Sequence, residues 1–177
     1  MAGRTWVESV EDVGSTFSFT VRLAKQIAHP DIIDSSAAIT RWTVNQELKK
    51  IRGSRILIVE DNEINQELAM EFLTRNHVLV ETVNDGQEAL NILADQKFDG
   101  VLMDCQMPVM DGYEATRKIR EQEKFKDLPI IAMTANAMVG DREKALDAGM
   151  NDHIAKPIDP DEMYRTMAKW ISVSKKD

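Results

Sequence analysis

From Arg55 onward the sequence alternates short apolar runs with segments of helical period, and it does so five times. The runs are residues 55–60 (Arg-Ile-Leu-Ile-Val-Glu), 78–83 (Val-Leu-Val-Glu-Thr-Val), 99–103 (Asp-Gly-Val-Leu-Met), 129–133 (Pro-Ile-Ile-Ala-Met) and 152–155 (Asp-His-Ile-Ala). The first, third and fourth are nearly unbroken in apolar residues. Strands covered on both faces of a parallel sheet read this way, whereas a strand with one wet face alternates. Parallel neighbours cannot be joined by tight turns, so each run needs a crossover helix.

The intervening segments supply those helices. Ile64, Leu68 and Phe72 fall four apart, as do Ala69 and Leu73, with Glu63, Glu67 and Glu71 on another face, which predicts an amphipathic helix. Ala89, Leu90, Leu93 and Ala94 repeat the pattern after Asp85-Gly86, and Tyr113, Thr116 and Ile119 after Asp111-Gly112. Each of these two helices begins at an aspartate able to cap it. A fourth helix is expected over about 136–148, ended by Gly149, which adopts a left-handed conformation at little cost. The fifth starts at Asp159-Pro160, with proline at the first helical position and Glu162 three after the cap; Met163, Met167 and Trp170 give its apolar face. Five such units of roughly 20–30 residues fit a doubly wound α/β fold with an open five-stranded parallel sheet and helices on both faces, since a closed eightfold barrel needs about 250 residues.

In open parallel sheets ligands bind beyond the carboxyl ends of the strands. Read as a group, those ends carry Glu60, Asp61 and Asn62, then Asp104, then Thr134 and Ala135, then Lys156 and Pro157. Singly, each has an ordinary explanation: an acidic turn, a helix cap or a surface lysine. Together they bring three carboxylates, a hydroxyl and an ammonium to one place. Crowded carboxylates repel unless a cation joins them, and all-oxygen ligands favour Mg²⁺, Mn²⁺ or Ca²⁺ over zinc. A lysine opposite a cation suits a phosphoryl group, and Asp104, at the end of a central strand, is the candidate nucleophile.

These residues resemble a known family. The strings Ile-Leu-Ile-Val-Glu-Asp-Asn, Val-Leu-Met-Asp-Cys-Gln-Met-Pro-Val-Met-Asp-Gly-Tyr-Glu, Pro-Ile-Ile-Ala-Met-Thr-Ala and Gly-Met-Asn-Asp-His-Ile-Ala-Lys-Pro-Ile are similar to the receiver domain of two-component response regulators, over residues 54–174. The resemblance implies the flavodoxin-like strand order 2-1-3-4-5 and phosphorylation of Asp104. It also implies Mg²⁺ held by Glu60, Asp61, Asp104 and the Gln106 carbonyl. Lys156, Thr134 and the Ala135 backbone would bind the phosphoryl group, and the Lys156-Pro157 bond would be cis. Thr134 and His153 take switch positions, the second commonly Tyr or Phe in this family, and Gln106 and Asn136 take positions that tune the lifetime of the acyl phosphate. The partner implied is a histidine kinase or a histidine phosphotransfer protein.

The first 53 residues differ in character. Two β-rich runs, 5–10 and 16–23, flank a Glu-Asp-Val-Gly turn and predict a hairpin. Trp6-Val7-Glu8-Ser9 and Gly14-Ser15-Thr16-Phe17 resemble the last two strands of the ATP-binding domain of histidine kinases, so residues 1–24 are expected to be the end of that domain in a hybrid kinase. Residues 25–53 read as a linker, with His29-Pro30-Asp31 as a helix stopper and 35–51 as a partly helical stretch on which Ile39, Trp42 and Leu48 could pack. The parts that bind ATP and the donor histidine are not represented, so the chain is expected to accept a phosphoryl group and not to act as an enzyme. With only 172–177 after the fifth helix, the signal is expected to leave by protein contact or onward transfer.

Charge and composition narrow the alternatives. Residues 1–53 carry 7 Lys+Arg against 6 Asp+Glu, which leaves 15 against 24 for residues 54–177 out of totals of 22 and 30. A net charge of −9 on the second part repels phosphates and disfavours nucleic acid as a ligand. The sequence has neither an apolar run of about 18 residues nor a secretory signal. Its single cysteine, Cys105, excludes an internal disulfide, and a cytoplasmic location without membrane contact is expected. An unphosphorylated interaction module of the same fold is the alternative function. A hydrolase using Asp104 is disfavoured because Gln106 cannot serve as a general acid, and the ten methionines read as core filler.

Overall fold

The computed structural model describes residues 4–10, 14–20, 46–135 and 139–171, and the chain divides into two units, Met1–Ala37 and Ala38–Asp177. In the first, β1 (Thr5–Val10) and β2 (Gly14–Phe19) pair antiparallel, from Thr5 opposite Phe19 to Val10 opposite Gly14. Val7, Phe17 and Phe19 fall on one face of the ribbon and are all exposed. The hairpin thus forms, with β2 beginning at Gly14 instead of Thr16. The expected turn at 11–13, the continuation of the second run to Leu23 and most of the linker, Ile39 and Trp42 included, lie outside the described residues; residues 46–51 are helical.

The second unit holds a parallel sheet of β3 (Arg55–Val59), β4 (Leu79–Val83), β5 (Gly100–Asp104), β6 (Ile130–Thr134) and β7 (Asp152–Ala155). Their order across the sheet is β4-β3-β5-β6-β7, which is the flavodoxin-like order 2-1-3-4-5. The interposed helices are α1 (Glu63–Thr74), α2 (Gly86–Asp95), α3 (Gly112–Arg120), α4 (Val139–Asp147) and α5 (Pro160–Trp170).

Side chains alternate across the sheet and build two cores. Ile56, Ile58, Leu102, Ile131, Met133 and Ile154 pack with Ala69 and Leu73 of α1 and with Met163 and Met167 of α5. Leu57, Val59, Val101, Met103, Ile130 and Ala132 pack on the other side with Ala89 and Leu93 of α2, Ala115 and Ile119 of α3 and Ala145 of α4. β3, β5 and β6 have both faces covered, which is why their runs are unbroken, whereas the edge strand β4 leaves Leu79 and Thr82 in solvent. Methionine serves as filler in both cores, with Met103, Met133, Met163 and Met167 at most 1% exposed. Between α1 and α5, the Tyr164 hydroxyl donates to the Phe72 carbonyl at 2.8 Å.

The helix starts follow the chemistry of their caps. Asp85, Asp111 and Asp159 each accept backbone N–H bonds from the first turn, and Gly149 has φ +98° just after α4. The expected first turn of that helix, 136–138, lies outside the described residues. One expectation is corrected on α1. The Ile64-Leu68 stripe does not face the core, for Ile64 is 75% exposed while Ala69 and Leu73 are buried. Two apolar rows run along this helix, and the row bearing the small Ala69 lets the helix lie closer to the sheet.

The start of α3 is pressed against the end of β5. A Cβ at Gly112 would lie 2.1 Å from the Asp104 carbonyl oxygen and 2.9 Å from Met103 Cγ, and neither the backbone nor a fully buried side chain can yield at low cost. Gly112→Ala should therefore lower unfolding free energy by about 1–3 kcal/mol, the range for overpacking, seen as a lower urea midpoint at unchanged slope. An unchanged midpoint would contradict this packing.

Candidate functional site

The strand register assembles the site. Val59 pairs with Met103, Asp104 with Met133 and Thr134 with Ala155, so the polar residues that follow each apolar run reach the same level at the carboxyl edge. Glu60, Asp104 and Lys156 each stand two residues beyond a core residue of the α1/α5 face, namely Ile58, Leu102 and Ile154. The two-residue period of a strand returns all three to that face.

There Lys156 bridges the two buried acids. Its Nζ lies 2.7 Å from Asp104 Oδ2 and 2.6 Å from Glu60 Oε2, with Glu60 1% and Asp104 5% exposed. The Glu60 contact is an ion pair without hydrogen-bond alignment. Asp61 is exposed and completes the cluster: one carboxylate oxygen from each of Glu60, Asp61 and Asp104 lies within 4.8 Å of the others. Three carboxylates against one ammonium leave an excess of negative charge, and the open side at Asp61 gives access to it. This hard, all-oxygen donor set fits a divalent cation such as Mg²⁺.

The remaining residues named from the sequence take up places around this centre. The Gln106 N–H donates to Asp104 Oδ1 at 3.1 Å, and its side chain is exposed. Thr134 is buried at the end of β6 and its carbonyl accepts the Lys156 N–H at 2.7 Å, tying β6 to β7 beside the site. Ala135 follows, exposed, and the Lys156-Pro157 bond is cis. His153 stands opposite Ala132 in the register, half-buried, with Nδ1 3.7 Å from Asp152 Oδ1, beyond hydrogen-bond range. Asn136 lies outside the described residues. Cys105, beside Asp104, is buried, and desolvation drives its thiol up to about 11, which makes it a small core residue and not a reactive thiolate.

Three amides lie near the site, of which Asn62 was named at the strand end while Asn65 and Gln66 were not singled out from the sequence. The Asn62 side chain caps α1, accepting from the Ile64 and Asn65 N–H groups. Asn65 Nδ2 donates to Glu60 Oε1 at 2.8 Å, and the Gln66 amide donates to the Glu60 carbonyl and to Asn84 Oδ1. An acidic pair followed within six residues by three amides at helix-turn spacing was the available signal.

Among the described residues a pocket lies away from this centre: a cleft of about 570 Å³ lined by Phe98, Phe125, Leu128 and Trp170 with Lys97 and Lys124, beside the amino ends of β5 and β6.

Residues 56–168 match the response regulator receiver domain model, and the chain belongs to that family. It is 32% identical over 165 residues to the sensor histidine kinase RcsC of Salmonella typhi, covering 93% of this chain and 17% of that protein. It is 41% identical over 124 residues to hybrid signal transduction histidine kinase I of Dictyostelium discoideum, covering 66% of this chain and 7% of that one. The chain thus spans under a fifth of the length of these relatives. Among solved structures, it is similar to the receiver domain of a Pseudomonas aeruginosa sensor histidine kinase, which has a magnesium ion coordinated in its active-site cleft. The two share 48% identity at a TM-score of 0.63, over 67% of this chain and 97% of that one. The co-crystal of the Saccharomyces cerevisiae phosphotransfer protein Ypd1 with the receiver domain of Ssk1 matches at 32% identity and a TM-score of 0.64, over 70% of this chain and 94% of that one.

The Lys156 bridge has a measurable consequence. Burial alone would lower the lysine's pKa, but its charge contacts with Asp104 and Glu60 together outweigh burial and raise it. A raised folded-state pKa contributes stability fully below the unfolded lysine's pKa and loses it as pH rises through the folded value. Lys156→Met should cost about 2–3 kcal/mol at neutral pH, by leaving two buried carboxylates without their counter-charge, and the two proteins should converge in strongly alkaline solution. A difference independent of pH would place the cost in packing.

Proposed function

We propose that this chain is a phospho-accepting receiver that takes a phosphoryl group from a phosphohistidine onto Asp104 in a phosphorelay. The observation that carries this reading is the buried Asp104 held between Lys156 and two further acids at the carboxyl edge of the sheet. In the reaction an Asp104 carboxylate oxygen attacks phosphorus in line, a P–O bond forms and the P–N bond to the donor imidazole breaks. The leaving nitrogen keeps the electron pair, and with a proton on the other ring nitrogen the donor departs as neutral imidazole.

Each residue contributes a charge or a hydrogen bond. Glu60, Asp61, Asp104 and the Gln106 carbonyl would hold Mg²⁺, whose charge would offset that of the acids and of the phosphoryl group as nucleophile and donor approach. Lys156 then pairs with a phosphoryl oxygen, and the Thr134 hydroxyl and Ala135 N–H donate to another. Thr134 and the His153 ring form the switch that reports the change, and Gln106 and Asn136 set how readily water reaches the acyl phosphate. The chain is an acceptor in this scheme and not an enzyme.

The donor or recipient is a histidine kinase or a histidine phosphotransfer protein, and the exposed Ile64 and Leu68 on α1 offer such a partner an apolar contact near the site. In the parent protein we read residues 1–24 as the end of a kinase ATP-binding domain, 25–53 as a linker and 54–174 as the receiver. The alignment with RcsC supports this parse because it extends over 93% of the chain, well beyond the receiver. We place the domain in the cytoplasm, without nucleic-acid or membrane contact of its own. The net charge of −8 supports the first exclusion, and none of the described helices is long and apolar enough to cross a membrane.

Incubation with acetyl phosphate and Mg²⁺ should add one phosphoryl group by intact mass. The adduct should be labile to hydroxylamine, as an acyl phosphate is. Removing the metal with EDTA should lower its formation at least ten-fold, and Asp104→Asn should abolish it. Full incorporation in Asp104→Asn, or none in the wild type, would contradict the assignment.

A further inference from the structure

We propose that Asn65 is a positioning residue for the cation site: by holding Glu60 Oε1 it keeps that carboxylate in place when Lys156 turns from Glu60 to a phosphoryl group on Asp104. The inference rests on the function proposed above and concerns a residue outside the acidic cluster itself.

Glu60 is 1% exposed, so its orientation depends on what the protein gives its two oxygens. Oε2 has the Lys156 ammonium at 2.6 Å, and Oε1 has the Asn65 amide at 2.8 Å. The two holds differ in kind. Lys156 also touches Asp104, at 2.7 Å, and an ammonium shared between two acids is drawn toward any larger negative charge that appears on one of them. It also competes with a metal cation for the same carboxylate. A neutral amide does neither. It donates one hydrogen bond, carries no charge to repel Mg²⁺ and leaves the far oxygen open.

Asn65 is well placed to act as a fixed post. It is half-buried in the first turn of α1, and its own N–H is anchored to the Asn62 cap at 3.2 Å. The next residue, Gln66, fastens the Glu60 backbone carbonyl. Main chain and side chain of Glu60 are therefore both referred to α1, whereas Asp104 and Lys156 sit at the ends of other strands. Without Asn65, the one charged or hydrogen-bonding side chain against the Glu60 carboxylate among the described residues is the lysine that must leave it.

Calorimetric titration with Mg²⁺ alone tests this on the full chain, using wild type, Asn65→Ala, Glu60→Gln and the double variant. Thermal midpoints are measured on the metal-free proteins. Alanine is a better helix former than asparagine, so α1 should persist. Asn65→Ala should weaken Mg²⁺ binding about ten-fold, the lower end for loss of an outer partner of a metal ligand. In the Glu60→Gln background the same change should have no further effect, a non-additivity that a general loosening of α1 would not produce. Unchanged affinity in Asn65→Ala, or an equal loss in both backgrounds, would overturn the proposal while leaving the receiver function standing. No Mg²⁺ uptake by the wild type would overturn both.

Discussion

Two carboxylates that are almost entirely withdrawn from water, Glu60 and Asp104, stand on either side of one ammonium. Burying even one uncompensated carboxylate costs several kcal/mol, so the shape of this end of the molecule depends on Lys156 reaching both. The compensation is incomplete once Asp61 is counted, and the surplus charge makes the site attractive to a divalent cation. Replacing buried ion clusters by well-packed apolar residues is often neutral or stabilising, so these charges are better explained by a site that takes up a cation than by a contribution to stability.

The parallel sheet is what permits the arrangement. Its register stops the strands at one level, and the period of two returns Glu60, Asp104 and Lys156 to the face covered by α1 and α5. The surrounding backbone has little freedom to shift. Gly112 lets α3 start directly against the Asp104 carbonyl, and the Lys156 N–H is bonded to Thr134. On the proposed reading a phosphoryl group added to Asp104 would enter this frame, with Lys156, Thr134 and the half-buried His153 as the side chains proposed to respond.

Much of this was legible in the sequence. Unbroken apolar runs identified β3, β5 and β6 because both faces of those strands are covered, and aspartates before α2, α3 and α5 marked helix starts because a cap needs a short acceptor side chain. The site residues were legible for a related reason: polar groups directly after apolar runs have few places to go except the strand ends. What the sequence did not yield depended on choices that periodicity leaves open. On α1 two apolar rows compete, and the one containing Ala69 wins through close packing, which exposes Ile64. Asn65 looked like an ordinary helix residue, because nothing in its spacing shows that its amide meets Glu60. His153 is similar: its place on β7 was clear, but that its ring Nδ1 falls short of a hydrogen bond to Asp152, while its backbone N–H makes one, is a matter of local geometry that spacing does not show.

The central claim is that Glu60, Asp61, Asp104, Thr134 and Lys156 form one cooperating site for a cation and a phosphoryl group. The most direct test is a titration of the isotopically labelled chain with Mg²⁺ and then beryllofluoride, a mimic of the aspartyl phosphate, followed by amide NMR. The account predicts saturable shifts at these residues in the first stage and further shifts at Thr134, Ala135 and His153 in the second, with the second stage lost in Asp104→Asn. Shifts scattered over the acidic surface without saturation, or a second stage that persists in Asp104→Asn, would contradict it.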